Sequence, residues 1–322
     1  MGEFSIIDRY FRPLTEGADA AAALKDDAAV LGIPSGHELV VTSDTLNEGI
    51  HFLKGSQPEY IAKKVLRVNL SDLASMGAVP LCYQLNIAFP QRPEEAWLSS
   101  FSGSLLEDNQ KYGVFCSGGD TTSIQGDCLS VSVTAMGLVP QGRAVHRHGA
   151  KDGDLLILTD SVGDAVLGLK LLQGKKDISK YPLSSLRYNV PEPRVNIDCI
   201  LREYVHAAAD ISDGVLADSM HIAEASGLGL EVDLDKVIFS KEVQHAIQSG
   251  VIDFSEALKG GDDYELALAV TPQNERHVIS ALKEAGLCPM VIGVFKEDVH
   301  GISLINARGR ISTGFTFGWT HF

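Results

Sequence analysis

A group of aspartates stands out in the sequence because its members fall at predicted strand ends, in tight turns or on the inner face of a helix. Connecting segments of this kind often carry functional residues on a rigid scaffold. The group is Asp26, Asp27, Asp44, Asp72, Asp120, Asp210, Asp213, Asp262 and Asp263. Carboxylates in such positions predict chemistry that depends on bound cations.

Carboxylate oxygens suit a hard divalent cation such as Mg2+, which takes one or two carboxylates together with waters and substrate phosphates. A nucleotide bound with several Mg2+ ions needs carboxylates from separate loops, and this sequence supplies them. No set of His and Cys residues indicates a softer metal. We therefore expect any phosphate chemistry to depend on Mg2+.

Each aspartate also has a purely structural interpretation. Asp213 is a candidate helix N-cap at a strand-to-helix turn. The Gly-Gly-Asp sequences that end at Asp120 and Asp262 fit ordinary turns in which glycine supplies a positive φ. Asp72 lies one helical turn after Asn69, and the two fit a buried hydrogen-bonded pair. The residues alone leave these alternatives open.

The common nucleotide-binding and hydrolase motifs are absent from the sequence. There is no G-x-x-x-x-G-K-[ST] loop, no G-x-G-x-x-G loop with a His-Arg-Asp partner and no G-x-S-x-G elbow. Segment 163–170 resembles the first of these but lacks the Gly-Lys-[Ser/Thr] ending. If ATP binds, we expect it to bind by another design.

The composition indicates a globular protein with an acidic surface. The 322 residues are 45% hydrophobic and 21% charged, with a net charge of −15, and the length is sufficient for two domains. An acidic surface repels a nucleic-acid backbone, and no Lys/Arg cluster offers a local exception. We therefore expect no nucleic-acid partner.

The sequence shows no signal for a membrane or for export. No apolar run approaches the roughly 20 residues that span a bilayer, and the N-terminus lacks the apolar core of a signal peptide. The five cysteines include no C-x-x-C pair; they are Cys82, Cys116, Cys128, Cys199 and Cys288. We interpret them as reduced thiols in a cytoplasmic protein.

Hydrophobic periodicity predicts alternating strands and helices in both halves of the chain. In the first half we expect strands over 38–42, 81–87, 114–116 and 129–135, with helices over 59–76 and around 97–105. A boundary is expected near 149–153. In the second half we expect strands over 155–159, 207–209 and 264–270, helices over 165–172, 216–223 and 274–285, a polar stretch over 173–193 and a hairpin-like tail. The pattern predicts two α/β or α+β domains.

Several strings of residues, in order along nearly the whole chain, resemble those of thiamine-monophosphate kinases. They are GEFSII at 2–7, DDAA at 26–29, TSDT at 42–45 with EGIHF at 48–52, NLSDLASMGA at 69–78, GGDTT at 118–122, RHGAK at 147–151, DISDG at 210–214 and GGDDYEL at 260–266. The family departs from this chain at Lys25, where it usually has Gly, and at Asp262, where it often has Glu.

The resemblance implies a two-domain fold of the aminoimidazole ribonucleotide synthetase type. The expected domains are 1–148, which binds ATP and Mg2+ and dimerises through its sheet, and 149–322, which completes the active-site cleft. The implied activity is transfer of the γ-phosphoryl group of ATP to thiamine monophosphate, with Mg2+ as cofactor. The implied assembly is a homodimer.

The resemblance also implies roles for individual residues. The implied metal ligands are Asp27, Thr42, Ser43, Asp44, Asp72, Asp120, Asp210 and Asp213. The implied ATP contacts are Gly119, Asp120, Arg147 and Ser212, and Asp120, Asp210 and Asp213 are the expected catalytic residues. His51, Asp262 and Trp319 would line the substrate site, although His51 also fits a histidine satisfied by backbone and Trp319 also fits a residue that docks the C-terminal tail.

Other proteins of the superfamily are the nearest alternatives. Selenophosphate synthetase is expected to carry a reactive Cys or selenocysteine near its N-terminus, whereas the first cysteine here is Cys82. The hydrogenase-maturation protein ends in a functional Cys, whereas this chain ends in Phe322. A non-catalytic nucleotide-sensing protein should have lost some of the ligand carboxylates, and every expected one is present.

Overall fold

The computed structural model describes residues 3–174 and 178–311. The chain forms two compact units. Met1–Leu73 and Ala78–Gly142 make up one, called here the N-terminal unit, and Ala74–Gly77 and Arg143–Phe322 make up the other, called the C-terminal unit. None of the helices in the described residues is long and apolar enough to cross a membrane.

The N-terminal unit contains a four-stranded sheet and two long helices. Its elements are α1 (Glu3–Ile6), β1 (His37–Asn47), α2 (Pro58–Ser75), β2 (Val79–Phe89), α3 (Glu95–Tyr112), β3 (Phe115–Ser123) and β4 (Ser130–Pro140). The strand order is β1-β4-β2-β3. β4 is antiparallel to both of its neighbours, and β3 is parallel to β2. The two helices predicted for this half are confirmed.

One face of this sheet is buried and the other is open. Val131, Val133 and Ala135 on β4 are fully buried and alternate with partly exposed residues. On β1, Leu39 and Val41 are exposed apolar residues. Because successive side chains of a strand point to opposite faces, the sheet packs its core on one side only.

The C-terminal unit contains a seven-stranded sheet and seven helices among its described residues. The elements are β5 (Leu155–Leu158), α4 (Asp164–Gln173), α5 (Pro182–Asn189), α6 (Asp198–Tyr204), β6 (Val205–Asp210), α7 (Val215–Ala225), β7 (Gly229–Asp233), α8 (Lys241–Gln248), α9 (Phe254–Lys259), β8 (Leu266–Val270), α10 (Glu275–Glu284), β9 (Met290–Lys296), β10 (Ile302–Asn306) and β11 (Gly309–Ile311). The strand order is β11-β10-β7-β9-β5-β8-β6.

Both faces of the larger sheet are buried. Along β5, Leu156 and Leu158 belong to one hydrophobic cluster, and Ile157 between them belongs to another. Every residue of β8 is buried, because helices cover the sheet on both sides. The polar stretch predicted over 173–193 contains α5, and the hairpin-like tail corresponds to the antiparallel pair β10 and β11.

Two local predictions in the N-terminal unit are wrong. Asp44 does not end a strand, because β1 continues to Asn47 along its partner β4. Gly118 and Gly119 do not form a turn before Asp120, because all three lie inside β3. In both places the pairing with a neighbouring strand extends the element beyond its apolar residues.

Candidate functional site

A first cluster of side chains with oxygen donor atoms lies between β1 and α2. The Thr42 hydroxyl donates a hydrogen bond to the carboxylate of Asp72, and the side chain of Asp72 is hydrogen-bonded to that of Asp44. The Oδ1 atom of Asn69 accepts the backbone N–H of Asp44 at 3.0 Å, and its amide nitrogen donates to the carbonyl of Val65 at 2.9 Å. Two carboxyl groups and one hydroxyl therefore converge at one place.

The electrostatics of this cluster favour a bound cation. Burial raises the pKa of Asp44, and the hydrogen bond with Asp72 acts in the opposite direction. Two carboxylates this close disfavour each other's ionisation unless a positive charge compensates them. The donors are all hard oxygens, which suit Mg2+ rather than a soft metal. The observed donor set therefore fits Mg2+.

Ser43 points away from this cluster. Its hydroxyl donates to the carbonyl of Val133 at 3.2 Å and lies 3.0 Å from the hydroxyl of Thr134. Because neighbours on a strand face opposite sides, Ser43 lies on the open face of the sheet, whereas Thr42 and Asp44 lie on the helix side. The structure thus separates the Ser43 side chain from the two residues that flank it.

Asp120 lies on β3, at the edge of the N-terminal sheet. It is exposed and pairs in register with Asn86 of β2. The preceding residue, Gly119, has a φ of 150°, and a Cβ atom there would lie 1.8 Å from the carbonyl oxygen of Leu85. Only glycine permits this close approach of β3 to β2, so Gly119 fixes the backbone that carries Asp120.

Two further predicted residues of the N-terminal unit lie in connecting segments. Asp27 is exposed, and its backbone N–H donates to Oδ1 of Asp26 at 2.9 Å. His51 is half-buried, and its Nδ1 accepts the backbone N–H of Asn47 at 3.0 Å. The second contact shows that backbone satisfies one ring nitrogen of His51.

A second group of carboxylates lies at the turn between β6 and α7 in the C-terminal unit. Asp210 is the last residue of β6 and is only 3% exposed. Ser212 and Asp213 are half-buried in the turn. The N-cap residue of α7 is Gly214, with no side-chain cap, so the interpretation of Asp213 as an N-cap is wrong.

Asp218 supports this turn from the first part of α7. Its Oδ2 atom accepts the backbone N–H groups of Ser212, Asp213 and Gly214 at 3.0, 2.9 and 3.1 Å. Burial raises the pKa of Asp218 to about 6, and the hydrogen bonds from Asp213 and Gly214 oppose the shift. Ligand atoms of Asp213, Asp218 and His221 all lie within 4.8 Å of one another.

The sequence reasoning missed Asp218. Its only signal is an acidic residue in the first part of a helix that follows a Ser-Asp-Gly turn, a position from which a carboxylate can reach unpaired N–H groups. Without the turn's geometry, that signal does not distinguish Asp218 from an acid that interacts only with the helix dipole.

The segment 260–264 lies directly beside this turn. The Asp262 N–H donates to the carbonyl of Ser212, and the Tyr264 N–H donates to that of Ile211, both at 2.9 Å. The Tyr264 hydroxyl donates to Oδ1 of Asp262 at 3.1 Å. Asp262 and Tyr264 have φ values of 68° and 52°, a conformation that is uncommon for residues other than glycine and is often found at functional sites.

The two acidic residues that flank Tyr264 have structural partners instead. Asp263 is buried, and its carboxylate accepts the N–H groups of Gly163 and Ala165, at the start of α4, at 2.7 and 3.2 Å. Glu265 is 1% exposed; it forms a two-pronged ion pair with Arg194 and accepts the Thr159 hydroxyl at 2.7 Å. Asp262 therefore lies beside the turn, whereas Asp263 and Glu265 stabilise other parts of the C-terminal unit.

Arg147 and Trp319 are the two remaining predicted residues. Arg147 is exposed in the segment before β5, between His146 and His148, whose rings stack with centroids 4.9 Å apart. Its guanidinium group is thus accessible on the C-terminal unit. Trp319 lies outside the described residues.

Comparison with known proteins identifies the class of both halves. Residues 25–139 match the family model of the AIR synthase related protein N-terminal domain, and residues 151–305 match that of the C-terminal domain. The two-domain α/β architecture expected from the sequence is confirmed. The matches cover the strands and turns that carry the predicted ligands.

Full-length relatives narrow this class. The thiamine-monophosphate kinase of Caulobacter vibrioides is 40% identical, and the match covers 99% of this chain and 90% of that protein. The crystal structure of the thiamine-monophosphate kinase from Stenotrophomonas maltophilia K279a is 35% identical, with a TM-score of 0.85 and coverage of 94% and 96%. A structure of AaThiL in complex with AMPPCP and TMP is 27% identical, with a TM-score of 0.78 and coverage of 100% and 97%. The chain belongs to the thiamine-monophosphate kinase family.

Proposed function

We propose that this protein transfers the γ-phosphoryl group of ATP to thiamine monophosphate, giving thiamine diphosphate and ADP. The observation that carries the proposal is the full-length similarity to thiamine-monophosphate kinases, at 34–40% identity among the relatives matched over nearly the whole chain. The complex of AaThiL with AMPPCP and TMP supports the same pair of substrates. The carboxylate clusters of both units supply the chemistry that such a reaction needs.

Mg2+ is the proposed cofactor, and the convergent oxygen donors described above support it. The proposed ligands are Asp27, Thr42, Ser43, Asp44, Asp72, Asp120, Asp210 and Asp213. Because the Ser43 side chain lies on the open face, the role of Ser43 stays a prediction from the resemblance. When bound, the metal neutralises charge on the phosphate oxygens.

The proposed contacts with ATP combine backbone and side-chain groups. Gly119 brings the backbone of β3 close to β2 and places Asp120 at an exposed sheet edge. Arg147 carries a planar guanidinium group that can bind two phosphate oxygens at once. Ser212 lies in the turn that Asp218 supports. His51 and Asp262 are the proposed substrate contacts, and Trp319 stays a prediction from the resemblance.

The mechanism that these residues support is direct, in-line transfer. The acceptor is a phosphate oxygen that is already anionic near neutral pH, so a strong general base is unnecessary. Phosphoryl transfer asks the protein mainly for positioning and charge neutralisation. Asp120, Asp210 and Asp213 are the proposed catalytic residues because they would hold the Mg2+ that compensates the phosphate charge, the first two from strands and the third from a turn.

The open face of the N-terminal sheet supports the proposed homodimer. The exposed apolar residues Leu39 and Val41 of β1 lie on this face. Leu138 of β4 pairs with Leu39 on one side and with Val79 of β2 on the other, so these three residues form one row across the sheet. A contiguous apolar patch is typical of an interface. The proposed domains are 1–148, with the dimer surface and most of the proposed ATP and Mg2+ contacts, and 149–322, which carries the remaining ones at Asp210, Ser212 and Asp213. A cytoplasmic location stays a prediction from the cysteine pattern.

The first test is a product assay. Purified protein, ATP, Mg2+ and thiamine monophosphate should give thiamine diphosphate by chromatography, whereas free thiamine and substrates of aminoimidazole ribonucleotide synthetase should give no product. EDTA should abolish the reaction. Nucleotide binding without product under any divalent metal would contradict the proposal and favour a nucleotide-sensing role.

A further inference from the structure

Asp218 makes an unusual set of contacts for a residue outside the predicted ligand set. It is 2% exposed, and one oxygen of its carboxylate accepts three consecutive backbone N–H groups, those of Ser212, Asp213 and Gly214. Charge-assisted hydrogen bonds of this kind are about twice as strong as neutral ones. Asp218 therefore holds the turn as a unit rather than fixing a single residue.

The turn has no regular secondary structure of its own to keep it in place. Its other side is attached to the neighbouring segment, where the carbonyl of Ser212 accepts the N–H of Asp262 at 2.9 Å. Without Asp218, three N–H donors in a half-buried turn would lose their acceptor, and donors shielded from water are costly to leave unpaired. The backbone would then move to find other acceptors, and Asp213 would move with it.

We infer that Asp218 is a positioning residue for phosphoryl transfer, which acts through Ser212 and Asp213 and does not itself bind metal or nucleotide. This inference rests on the proposed function, because it assigns Asp218 a part in the site that Asp213 serves. Three donors at Oδ2 occupy the oxygen that faces the turn. The proximity of Asp213, Asp218 and His221 makes direct metal binding the competing interpretation.

Two substitutions in the full chain separate these interpretations. Asp218→Asn keeps a carbonyl oxygen that can accept the three N–H groups but removes the negative charge. Asp218→Ala removes the acceptor altogether. If Asp218 positions the turn, the Asn variant should stay within about threefold of wild type in kcat and in the Mg2+ concentration that gives half-maximal rate, since the acceptor remains.

The Ala variant should be strongly impaired by the same reasoning. We expect kcat to fall about 100-fold, because a shift of roughly 1 Å in a positioning group has this effect. The half-saturating Mg2+ concentration should rise about 10–100-fold, as is usual when a residue that orients a metal ligand is lost. Equal impairment of the Asn and Ala variants would identify Asp218 as a ligand and overturn the inference. Near-normal activity of the Ala variant would overturn it as well.

A readout independent of catalysis tests the inference even if the proposed function fails. Hydrogen exchange of the amides of Ser212, Asp213 and Gly214 should be slow in wild type and in Asp218→Asn, and fast in Asp218→Ala. Wild-type protein that makes no thiamine diphosphate but shows this exchange pattern would refute the proposed function alone. Unchanged exchange in the Ala variant would refute the positioning role.

Glu242 offers a matched control on the same unit. Its carboxylate also accepts backbone N–H groups, those of Leu183 and Ser184 at 3.1 and 2.9 Å, but it supports a helix that carries no proposed ligand. Glu242→Ala should lower stability without changing the Mg2+ dependence. If it changed the Mg2+ dependence as much as Asp218→Ala, general destabilisation would explain both, and the inference would fall.

Discussion

The two units hold their carboxylates by different means. In the N-terminal unit, Asp44 lies within β1, and Asp72 lies within α2, so the regular hydrogen bonds of a strand and a helix fix both backbones. In the C-terminal unit, Asp213 lies in a turn whose N–H groups are bound by one side chain, that of Asp218. The proposed ligands on regular elements are held by many backbone hydrogen bonds, whereas the N–H groups of the turn that carries Asp213 depend on the single side chain of Asp218.

This difference predicts how each region responds to substitution. Loss of a proposed ligand should lower activity strongly in both regions, since each ligand contributes charge that no other residue replaces. Loss of a supporting residue should be severe only at the turn.

Asp120→Asn and Asp213→Asn should each lower kcat by roughly 100- to 1000-fold, because removing one electrostatic contact to a reacting group usually has an effect of this size. The folded state should be retained, because Asp120 is exposed and Asp213 is half-buried. Steady-state kinetics with circular dichroism would check this. Asp298→Asn, at an exposed position, is the control. A variant with near-normal turnover would remove that residue from the proposed site.

Gly119→Ala should destabilise the N-terminal unit by about 1–3 kcal/mol, the usual scale of overpacking. The added Cβ would lie 1.8 Å from the carbonyl oxygen of Leu85, so β3 must move away from β2 and carry Asp120 with it. We therefore expect lower activity as well as a lower free energy of unfolding in urea titrations.

Gly103→Ala is the matched control for this change. Gly103 lies in α3, and a Cβ added there would meet no atom from outside its own helix within 4 Å. Alanine in a helix is favoured over glycine by roughly 0.5–1 kcal/mol, so this variant should be at least as stable as wild type. If Gly119→Ala matched it, the close approach of β3 to β2 would not be essential.

Asn69→Ala should lower stability by about 1–3 kcal/mol but lower activity less than about tenfold, because it leaves the half-buried N–H of Asp44 without its acceptor while β1 keeps its pairing with β4. Asn69 is fully buried and accepts the N–H of Asp44. Urea titration and kinetics on the same samples would measure both effects. An activity loss as large as that of Asp218→Ala would show that the N-terminal cluster also depends on one side chain.

Asp164→Asn should change the pH dependence of stability rather than activity. Asp164 is buried and accepts the hydroxyls of Ser184 and Ser240 at 2.7 and 2.8 Å. Burial raises its pKa, these hydrogen bonds oppose the shift, Arg187 lowers the pKa and Glu242 raises it.

When folding raises the pKa of a carboxyl group, the free energy of unfolding decreases as pH rises from the unfolded pKa towards the folded pKa. Asparagine cannot ionise, so the free energy of unfolding of Asp164→Asn should not show this decrease. The stability of the variant relative to wild type should therefore improve as pH increases from about 4 towards neutrality. Urea titrations at several pH values would check the sign, and a relative stability that falls with pH would contradict it.

Part of this architecture could be predicted from sequence. The periodicity of α2 and α3 identified both helices, and the ordered set of sequence strings along the chain identified the family. Local periodicity does not show which strand will pair with which. Periodicity alone therefore predicted that β1 ends before Asp44 and that Gly118 and Gly119 form a turn. In the structure, pairing with β4 extends β1, and pairing with β2 extends β3.

The roles of adjacent acids were beyond local reasoning for a related cause. Asp262, Asp263 and Glu265 lie in one short string, yet the first lies beside the Ser212 turn and the other two bind segments about 70–100 residues away. Partners so distant in sequence are set by tertiary packing. Asp218 was missed because its contacts depend on the path of a turn that only the folded chain defines.

The ion pair between Arg194 and Glu265 has a consequence for how this sequence can change over evolutionary time. The two residues are 71 positions apart, and both are buried. Losing either one would leave a buried charge with only a more distant partner, Arg187 at 3.6 Å from Glu265 or Asp160 at 3.9 Å from Arg194, and breaking a buried pair costs about 3–5 kcal/mol. Among descendants of this chain, the two positions should therefore be inherited as a pair, with a change at one persisting only when the other changes too.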